Sequence, residues 1–394
     1  MKKIFILCLL IFCVCGCWNY KELDDYSIIT GIAIDKEKDD YEVSVLISNA
    51  SKSSGENTES SGSESVVYSG KGNSIFKALK DISLISPKEL YLDHFSILII
   101  SEEIANQGIY NIVDFFLRYP NARKDFSVAI TKDCLAKDTL KIITPLTDFP
   151  SQSLADNLQF SSKLQGSISN LNYNELIYDL IAPGKEVSMN SIKIIGNIKK
   201  GASKDNIESS EPKTNLKLGN LAIFKGDKFI TWATEEESYG INIIKNKITE
   251  MYIKIKINDG YVVVSPVNFK SDIKIKIKNN KPHIYINSSG NAKVMEVNGH
   301  IDLENDSIIK EIEKKSNKKI EKYINKALNL AIKNETDIFG FGLSLYKNNP
   351  KYFDNVKNSW NRDLRDVNFY IKSDLVIKSI SSTQNSVEVL DDKK

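Results

Sequence analysis

Apolar runs and polar breaks alternate along the chain with two different periods. Residues 28–34, IITGIAI, and 41–47, YEVSVLI, flank a charged turn (Asp35, Lys36, Glu37, Lys38, Asp39, Asp40) and predict paired strands. Segment 51–65 is rich in Ser, Gly and Glu with no apolar anchor, so a loop is expected there. It lacks the Gly-rich turn ending in Lys-Ser or Lys-Thr that a phosphate cradle requires. A short strand is expected at 66–69. Asn73 or Ser74 then offers an N-cap for a helix with Ile75, Phe76, Leu79 and Ile82 on one face. Residues 95–100 read as a buried strand. Ser101 caps the next helix, with Glu102 and Glu103 in the first turn, where the helix dipole favours anions. Its inner face carries Ile104, Ile112, Phe115 and Phe116. It ends at Tyr119, because Pro120 disfavours helix at the residue before it. With a further strand at 126–130, the β-α-β-α-β order predicts an α/β domain with parallel neighbours.

Segment 140–185 reads as mostly helical and breaks at Ala182, Pro183 and Gly184. The polar stretch 199–213, with Gly201, Ser203, Ser209, Ser210 and Pro212, reads as a loop or linker between halves. Residues 218–232 predict a hairpin turning at Gly226 and Asp227, while 239–248 has no decisive period. The period then becomes two. Ile253, Ile255 and Ile257 alternate with Lys254 and Lys256, and Ile273, Ile275 and Ile277 with Lys274, Lys276 and Lys278. Ile284 and Ile286 follow a turn at Asn279, Asn280, Lys281 and Pro282. Such alternation buries one face of an antiparallel sheet and leaves lysines in solvent, where they discourage edge-to-edge pairing. Residues 306–334 form the strongest helix, capped by Asp306 or Ser307. Its apolar stripe of Ile308, Ile312, Ile320, Ile324, Leu328 and Ile332 is read as core. A strand at 367–380 completes an α+β domain. The expected division is an N-terminal α/β domain at 17–200, a linker or loop at 201–217, and a β-rich α+β domain at 218–394. The last has room to divide again.

The first residues form a different kind of segment. Lys2 and Lys3 precede an uninterrupted apolar stretch at 4–15, shorter than the about 20 residues a spanning helix needs. It fits the apolar region of a signal peptide, so 1–16 is expected to be removed and the protein exported. Val14, Cys15, Gly16 and Cys17 resemble a lipobox. The resemblance implies cleavage after Gly16, a diacylglycerol on the thiol of Cys17 and acylation of the new amine. The small Gly16 suits the cut. Cys15 follows bulky Val14 and Cys13 follows Phe12, which makes both poorer sites, although Cys is unusual at the place Cys15 takes in a lipobox. Two or more acyl chains hold a protein on a bilayer stably.

Composition narrows the functional classes. Lysine and arginine number 53 against 51 acidic residues, a formal charge of +2. Loss of Lys2 and Lys3 with the signal leaves a neutral chain, without the broad basic field a nucleic-acid partner requires. After processing, Cys134 is the remaining free cysteine, so no internal disulfide is expected and its thiol reads as a small apolar group. His94, His283 and His300 are far apart and fit no metal-ligand spacing. Gly340, Phe341 and Gly342 lack the third glycine and preceding strand of a dinucleotide fingerprint. Neither the paired acids Asp24 and Asp25 nor the run Glu235, Glu236, Glu237 points to a catalytic pair. No catalytic residue, cofactor or metal is expected.

Several motifs in order carry a family resemblance. Cys17, Trp18, Asn19, Tyr20, Lys21, Glu22, Leu23, Asp24 and Asp25, followed by 28–35, IITGIAID, resemble the mature start of the Ger(x)C family, the C subunits of spore germinant receptors. Asn19 stands where the family usually has Asp, and Ala33 where it usually has Gly. Segment 86–94, SPKELYLDH, resembles a second family motif. Asp114, Phe115, Phe116, Leu117 and Arg118, with Arg123 nearby, resemble a third. Ala222, Ile223, Phe224 and Lys225, with Asp227 and Lys228, resemble a fourth. Segment 337–342, DIFGFG, with Pro350 and Trp360, resembles the C-terminal signature. The resemblance implies a non-catalytic lipoprotein on the outer face of the spore inner membrane. It would act in nutrient-triggered germination beside a polytopic A subunit and a transporter-like B subunit. It further implies a multidomain α/β architecture. The segments around Tyr91 and at 339–342 are themselves read as fold-determining turns rather than partner contacts, since glycine permits backbone angles closed to other residues. The competing readings are a solute-binding lipoprotein of a transporter, which predicts two similar lobes with a ligand cleft and hinge, and a cell-wall enzyme.

Overall fold

The computed structural model describes residues 25–48, 65–120, 122–145, 150–208, 210–379 and 389. Gly16 and Cys17, and all of segment 51–65 except Ser65, lie outside the described residues. The first sheet is built from β1 (Tyr26–Glu37), β2 (Asp40–Ser48), β3 (Ser65–Gly72), β4 (Glu89–Tyr91), β5 (Ile97–Ile100), β6 (Ser127–Thr131), β7 (Ser188–Gly196), β8 (Thr214–Lys225) and β9 (Lys228–Trp232). Its order is β3-β2-β1-β5-β6-β7-β8-β9, with β4 paired to the start of β1. Strands β1, β5, β6 and β7 run parallel, as the alternation of strand and helix requires, and antiparallel strands flank them on both sides.

This sheet is covered on both faces. Leu98, Ile100, Val128 and Ile130 pack with Ile82, Ile104, Ile112, Phe116 and Leu176 on one side. Ile97, Ile99 and Ala129 pack with Leu140, Leu154 and Leu158 on the other. Both alternating sets of β5 are therefore buried, which is why that strand reads as a continuous apolar run.

The second sheet contains β10 (Ile253–Ile257), β11 (Gly260–Lys278), β12 (Lys281–Asn298) and β13 (Asn368–Ser379), in that order. The first three pair antiparallel, and β13 joins β12 in parallel. One face holds Ile253, Ile255, Val262, Val264, Ile284 and Ile286, which pack on Ile312, Ile320, Ile324 and Leu328 of the helix Asp306–Asn334. The opposite face carries Lys254 and Lys256 into solvent. The α/β and α+β classes read from the pattern are thus both present.

Several local expectations change. The N-cap of the long helix is Asn305, whose side chain accepts from Ser307 N–H, rather than Asp306 or Ser307. Phe76 does not join Ile75, Leu79 and Ile82 in the core; it is 57% exposed. The helix expected after Ser101 is two helices, Glu102–Gln107 and Tyr110–Arg118, parted at Gly108 (φ +127°). Residues around 239–248, without a decisive period, include the helix Glu235–Ile244, which starts with a reciprocal Thr234–Glu237 capping box. Segment 201–217 connects β7 to β8 within the first sheet, and buried Asn206 ties it down by bonds to Ile143 and Thr214. The chain therefore crosses to the second sheet only after Trp232. Strand β8 serves both cores: Ala222 and Phe224 face the first, Leu221 and Ile223 the second.

Candidate functional site at the junction of the two lobes

Three of the five motif-bearing segments are linked at one junction. Its hub on the first lobe is the β8–β9 turn at Gly226 and Asp227. The backbone break at Gly108 lets Ile109 N–H donate to the Asp227 carbonyl at 3.0 Å and Tyr110 N–H to its carboxylate at 3.1 Å. The helix bearing Asp114, Phe115, Phe116, Leu117 and Arg118 is anchored by this contact. On the other side of the turn, Gly226 N–H donates to Glu186 Oε2 at 2.6 Å, and Glu186 Oε1 accepts from Asn361 Nδ2 at 2.6 Å. Glu186 N–H donates to the Asp337 carbonyl at 2.8 Å. Burial holds the Glu186 carboxyl above its ordinary range, against the Gly226 and Asn361 donors.

Asp337 is the centre of the second lobe's side. Its side chain is fully buried, and its two oxygens receive four donors. Phe339 N–H and Gly340 N–H reach Oδ1 at 3.2 and 2.8 Å; Gly342 N–H and Trp360 Nε1–H each reach Oδ2 at 2.7 Å. Burial pushes this carboxyl up and the donors pull it back. Gly340 has φ +82°, open to glycine and strained for other residues. A Cβ on Gly342 would stand 2.5 Å from Trp360 Nε1 and 2.8 Å from Gly184 Cα, so this glycine permits the lobes to close. The signature at 337–342 and Trp360 thus builds a polar lock inside an apolar core. With four donors on its two oxygens, Asp337 is engaged in holding the loop and the indole.

A cleft of about 400 Å³ opens beside the junction. In it, buried Asp179 lies 2.5 Å from Lys185 and 3.7 Å from Lys245. Lys245 also donates to Ser188 Oγ at 3.0 Å, and burial pushes its ammonium down to about 8. Lys247 pairs with Glu175 at 2.9 Å. These charges answer one another and tie the helix Tyr173–Ile181 to the end of Glu235–Ile244. A separate groove of about 540 Å³ lies on the first lobe, between Ile75, Phe76, Phe115, Tyr119 and Pro120, with the Asp114–Arg118 ion pair (2.8 Å) on its lining.

The first and second motifs meet elsewhere. Ser86 Oγ donates to the Lys88 carbonyl at 2.9 Å and meets Ser27 Oγ at 3.3 Å; Glu89, Leu90 and Tyr91 then pair in parallel with Tyr26, Ser27 and Ile28. Tyr91 packs against Tyr26 and His94, with ring centres 5.1 and 5.7 Å away. The second motif secures the start of β1. Sites read from the sequence fall as follows. Gly16 and Cys17 lie outside the described residues. Cys134 is half-buried and its thiol is pushed up to about 11 by burial, which makes thiolate scarce at neutral pH. His283 Nδ1 is 3.1 Å from Tyr370 Oη. Among the described residues, no group of three or more His, Cys, Asp or Glu side chains is placed to hold a metal ion, and no helix is long and apolar enough to cross a membrane. Glu186, Asn361 and Asp179, which join the lobes, carried no signal in the sequence; the partners that make the join, Asn361 for Glu186 and Lys245 for Asp179, are distant along the chain.

Comparison with known proteins adds an independent finding. Residues 19–194 match the family described as spore germination protein N-terminal domain, and residues 219–381 the family described as spore germination B3/GerAC like, C-terminal. The second match begins within β8, so the sequence boundary and the sheet boundary do not coincide. Spore germination protein KC of Bacillus subtilis (strain 168) is 26% identical over 383 residues, covering 95% of this chain and 94% of its own length. Spore germination protein GerQC of Bacillus cereus is 21% identical over 348 residues, 86% of this chain and 89% of its own. The crystal structure of the GerBC protein superposes with a TM-score of 0.56 at 16% identity, covering 91% of this chain and 99% of that one, and shares the fold.

Proposed function

We propose that this chain, which belongs to the Ger(x)C family of spore germination proteins, is the lipid-anchored subunit of a spore germinant receptor. The observation that carries this reading is the family match over both halves, in one continuous order. In this reading the signal is cut after Gly16 and Cys17 bears the lipid. The body stands on the outer face of the spore inner membrane, beside a polytopic A subunit and a transporter-like B subunit. It acts through protein contacts and performs no catalysis. The anchor confines it to two dimensions, which raises effective concentration so that weak contacts suffice. We retain 17–200 and 218–394 as its domains, joined through 201–217, with β8, which begins at Thr214 inside that segment, and β9 completing the first sheet.

The alternative, a solute-binding lipoprotein of a transporter, fits less well. It needs two similar lobes about a hinge. Here the lobes differ in architecture, and Glu186, Asn361 and Asp337 tie them together. A Cys17→Ala variant tests the proposal. It is expected to be processed poorly, to leave the membrane fraction and to weaken germination, with mass spectrometry of the wild type finding the acylated residue. Normal membrane retention and a normal response in the variant would count against it. Crosslinked isolation from spore membranes is expected to recover the A and B subunits, and calorimetry against amino acids and sugars to show no binding by this chain alone.

A further inference from the structure

The loop between the helix Ile75–Ile82 and β4 holds two large apolar side chains in solvent. Leu84 is 80% exposed and Ile85 57%. The loop is held by its own backbone: Leu84 N–H donates to the Asp81 carbonyl at 3.1 Å, Ile85 N–H to Ile82 at 3.0 Å and Ser86 N–H to Ile82 at 2.9 Å. The Ser86 Oγ bond to Lys88 closes it. Both side chains are thus fixed outside the core, next to exposed Lys80 and Lys88. Of the nearby acids, Asp81 is engaged by Lys71 N–H at 3.0 Å, and Glu89 stands exposed beside Lys88 at the start of β4.

The position of this loop in the fold decides what covers it. Ser86 touches Ser27, and Glu89 pairs with Tyr26, so the loop adjoins the point where the described chain begins. Eight residue steps separate Cys17 from Asp25, a contour of at most about 29 Å at 3.6 Å per residue. We infer that Leu84 and Ile85 enter the interface of the bilayer that carries the anchor, with Lys80 and Lys88 at the level of anionic headgroups. The inference rests on acylation of Cys17. A leucine and an isoleucine alone bind a bilayer weakly. A body already leashed beside it meets the surface at high effective concentration, and shallow insertion then sets which end of the protein faces the membrane.

The test uses the full-length acylated chain carrying Cys134→Ser and Leu84→Cys, spin-labelled at the new thiol. It is placed on vesicles of phosphatidylglycerol and phosphatidylethanolamine without other proteins. Collision rates with oxygen and with a water-soluble nickel chelate are measured, and Met295→Cys on the second lobe serves as the comparison. The label at 84 is expected to lose at least threefold in nickel collisions relative to the label at 295, and to gain in oxygen collisions. An acylated, vesicle-bound chain whose label at 84 stays open to nickel overturns the loop insertion and leaves the anchor standing. Shielding at 84 in spore membranes but not on vesicles assigns the loop to a partner protein and likewise overturns it. An unacylated Cys17 by mass spectrometry overturns both.

Discussion

The two sheets use isoleucine alike and differ in what covers them. In β5, Ile97, Leu98, Ile99 and Ile100 are all buried, because helices lie on both faces. In β10, Ile253, Ile255 and Ile257 are buried while Lys254 and Lys256 are exposed, because helix lies on one face. Strand pattern therefore reports the number of covered faces more directly than it reports the strand itself. The edges differ too. Along the second sheet, the helix Asp306–Asn334 reaches both edge strands. Lys315 and Lys319 donate to the Lys256 and Lys254 carbonyls of β10, while Glu313, Asn317 and Glu321 accept from Ile377, Leu375 and Ser373 N–H of β13. Side chains spaced four apart on a helix thus meet backbone groups spaced two apart on a strand.

The largest effect is expected where the lobes meet. Asp337→Ala leaves three backbone N–H groups and the Trp360 indole N–H without their acceptor in the core. At 1–3 kcal/mol for each buried group left unsatisfied, the loss is expected to reach about 4 kcal/mol or more. Urea unfolding measures it. A loss under about 1 kcal/mol would mean that water or a rearranged loop replaces the carboxylate, and that the junction is not a lock.

Next comes the contrast between the sheets. Leu98→Ala opens a cavity under helices on a fully covered face and is expected to cost about 3 kcal/mol. Ile275 is only partly buried, near the outer end of the β11–β12 hairpin, and Ile275→Ala is expected to cost about 1 kcal/mol. Equal losses in the two variants, by denaturant midpoint, would show that the hairpin end is as well packed as the parallel core.

These elements were not equally legible. The isoleucine–lysine alternation at 253–257 and the helix at 306–334 were plain, since each pattern is local and long. Gly340 could be suspected of a backbone role, because glycine next to an aromatic pair in a short run has few other uses. Phe76 misled: a single exposed aromatic on an amphipathic helix looks like core until the neighbouring helix is placed. The bond between Glu186 and Asn361 joins residues 175 positions apart and leaves no periodic trace. Nor did the edge caps, since Lys315 and Glu313 look like any solvated helix face until the sheet curls around them.

A pH effect in the first sheet ranks third. Asp35, at the end of the IITGIAID run, accepts from Ala136 N–H at 2.7 Å and Lys137 N–H at 2.8 Å, and so receives the start of the helix Ala136–Lys141. Burial pushes its carboxyl up to about 6, with the two backbone donors opposing. The folded state then holds this proton more tightly than the unfolded chain, whose Asp titrates near 3.9. Its contribution is fully present below about pH 4 and is lost as pH rises through about 6, by up to about 3 kcal/mol. Asp35→Asn removes that titration. The stability difference, wild type minus variant, is expected to fall between pH 4 and 7. A constant difference over that range would refute the raised carboxyl.

The smallest effect tests the edges. Asn317 accepts from Leu375 N–H at 2.7 Å and donates to the Leu375 carbonyl at 3.2 Å. Asn317→Ala removes both bonds from a part-buried site, at an expected cost of about 1 kcal/mol. Lys276→Gln, on the exposed face of the hairpin, is expected to change stability by less than about 0.5 kcal/mol. The two variants separate two ways a sheet meets water. A face needs only polar side chains, whereas an edge carries backbone donors that pair with any strand offered. Asn317→Ala is therefore expected to raise concentration-dependent association, measured by light scattering, out of proportion to its stability loss. If Lys276→Gln associates as readily, the lysines of the open face guard the sheet and the helix side chains do not.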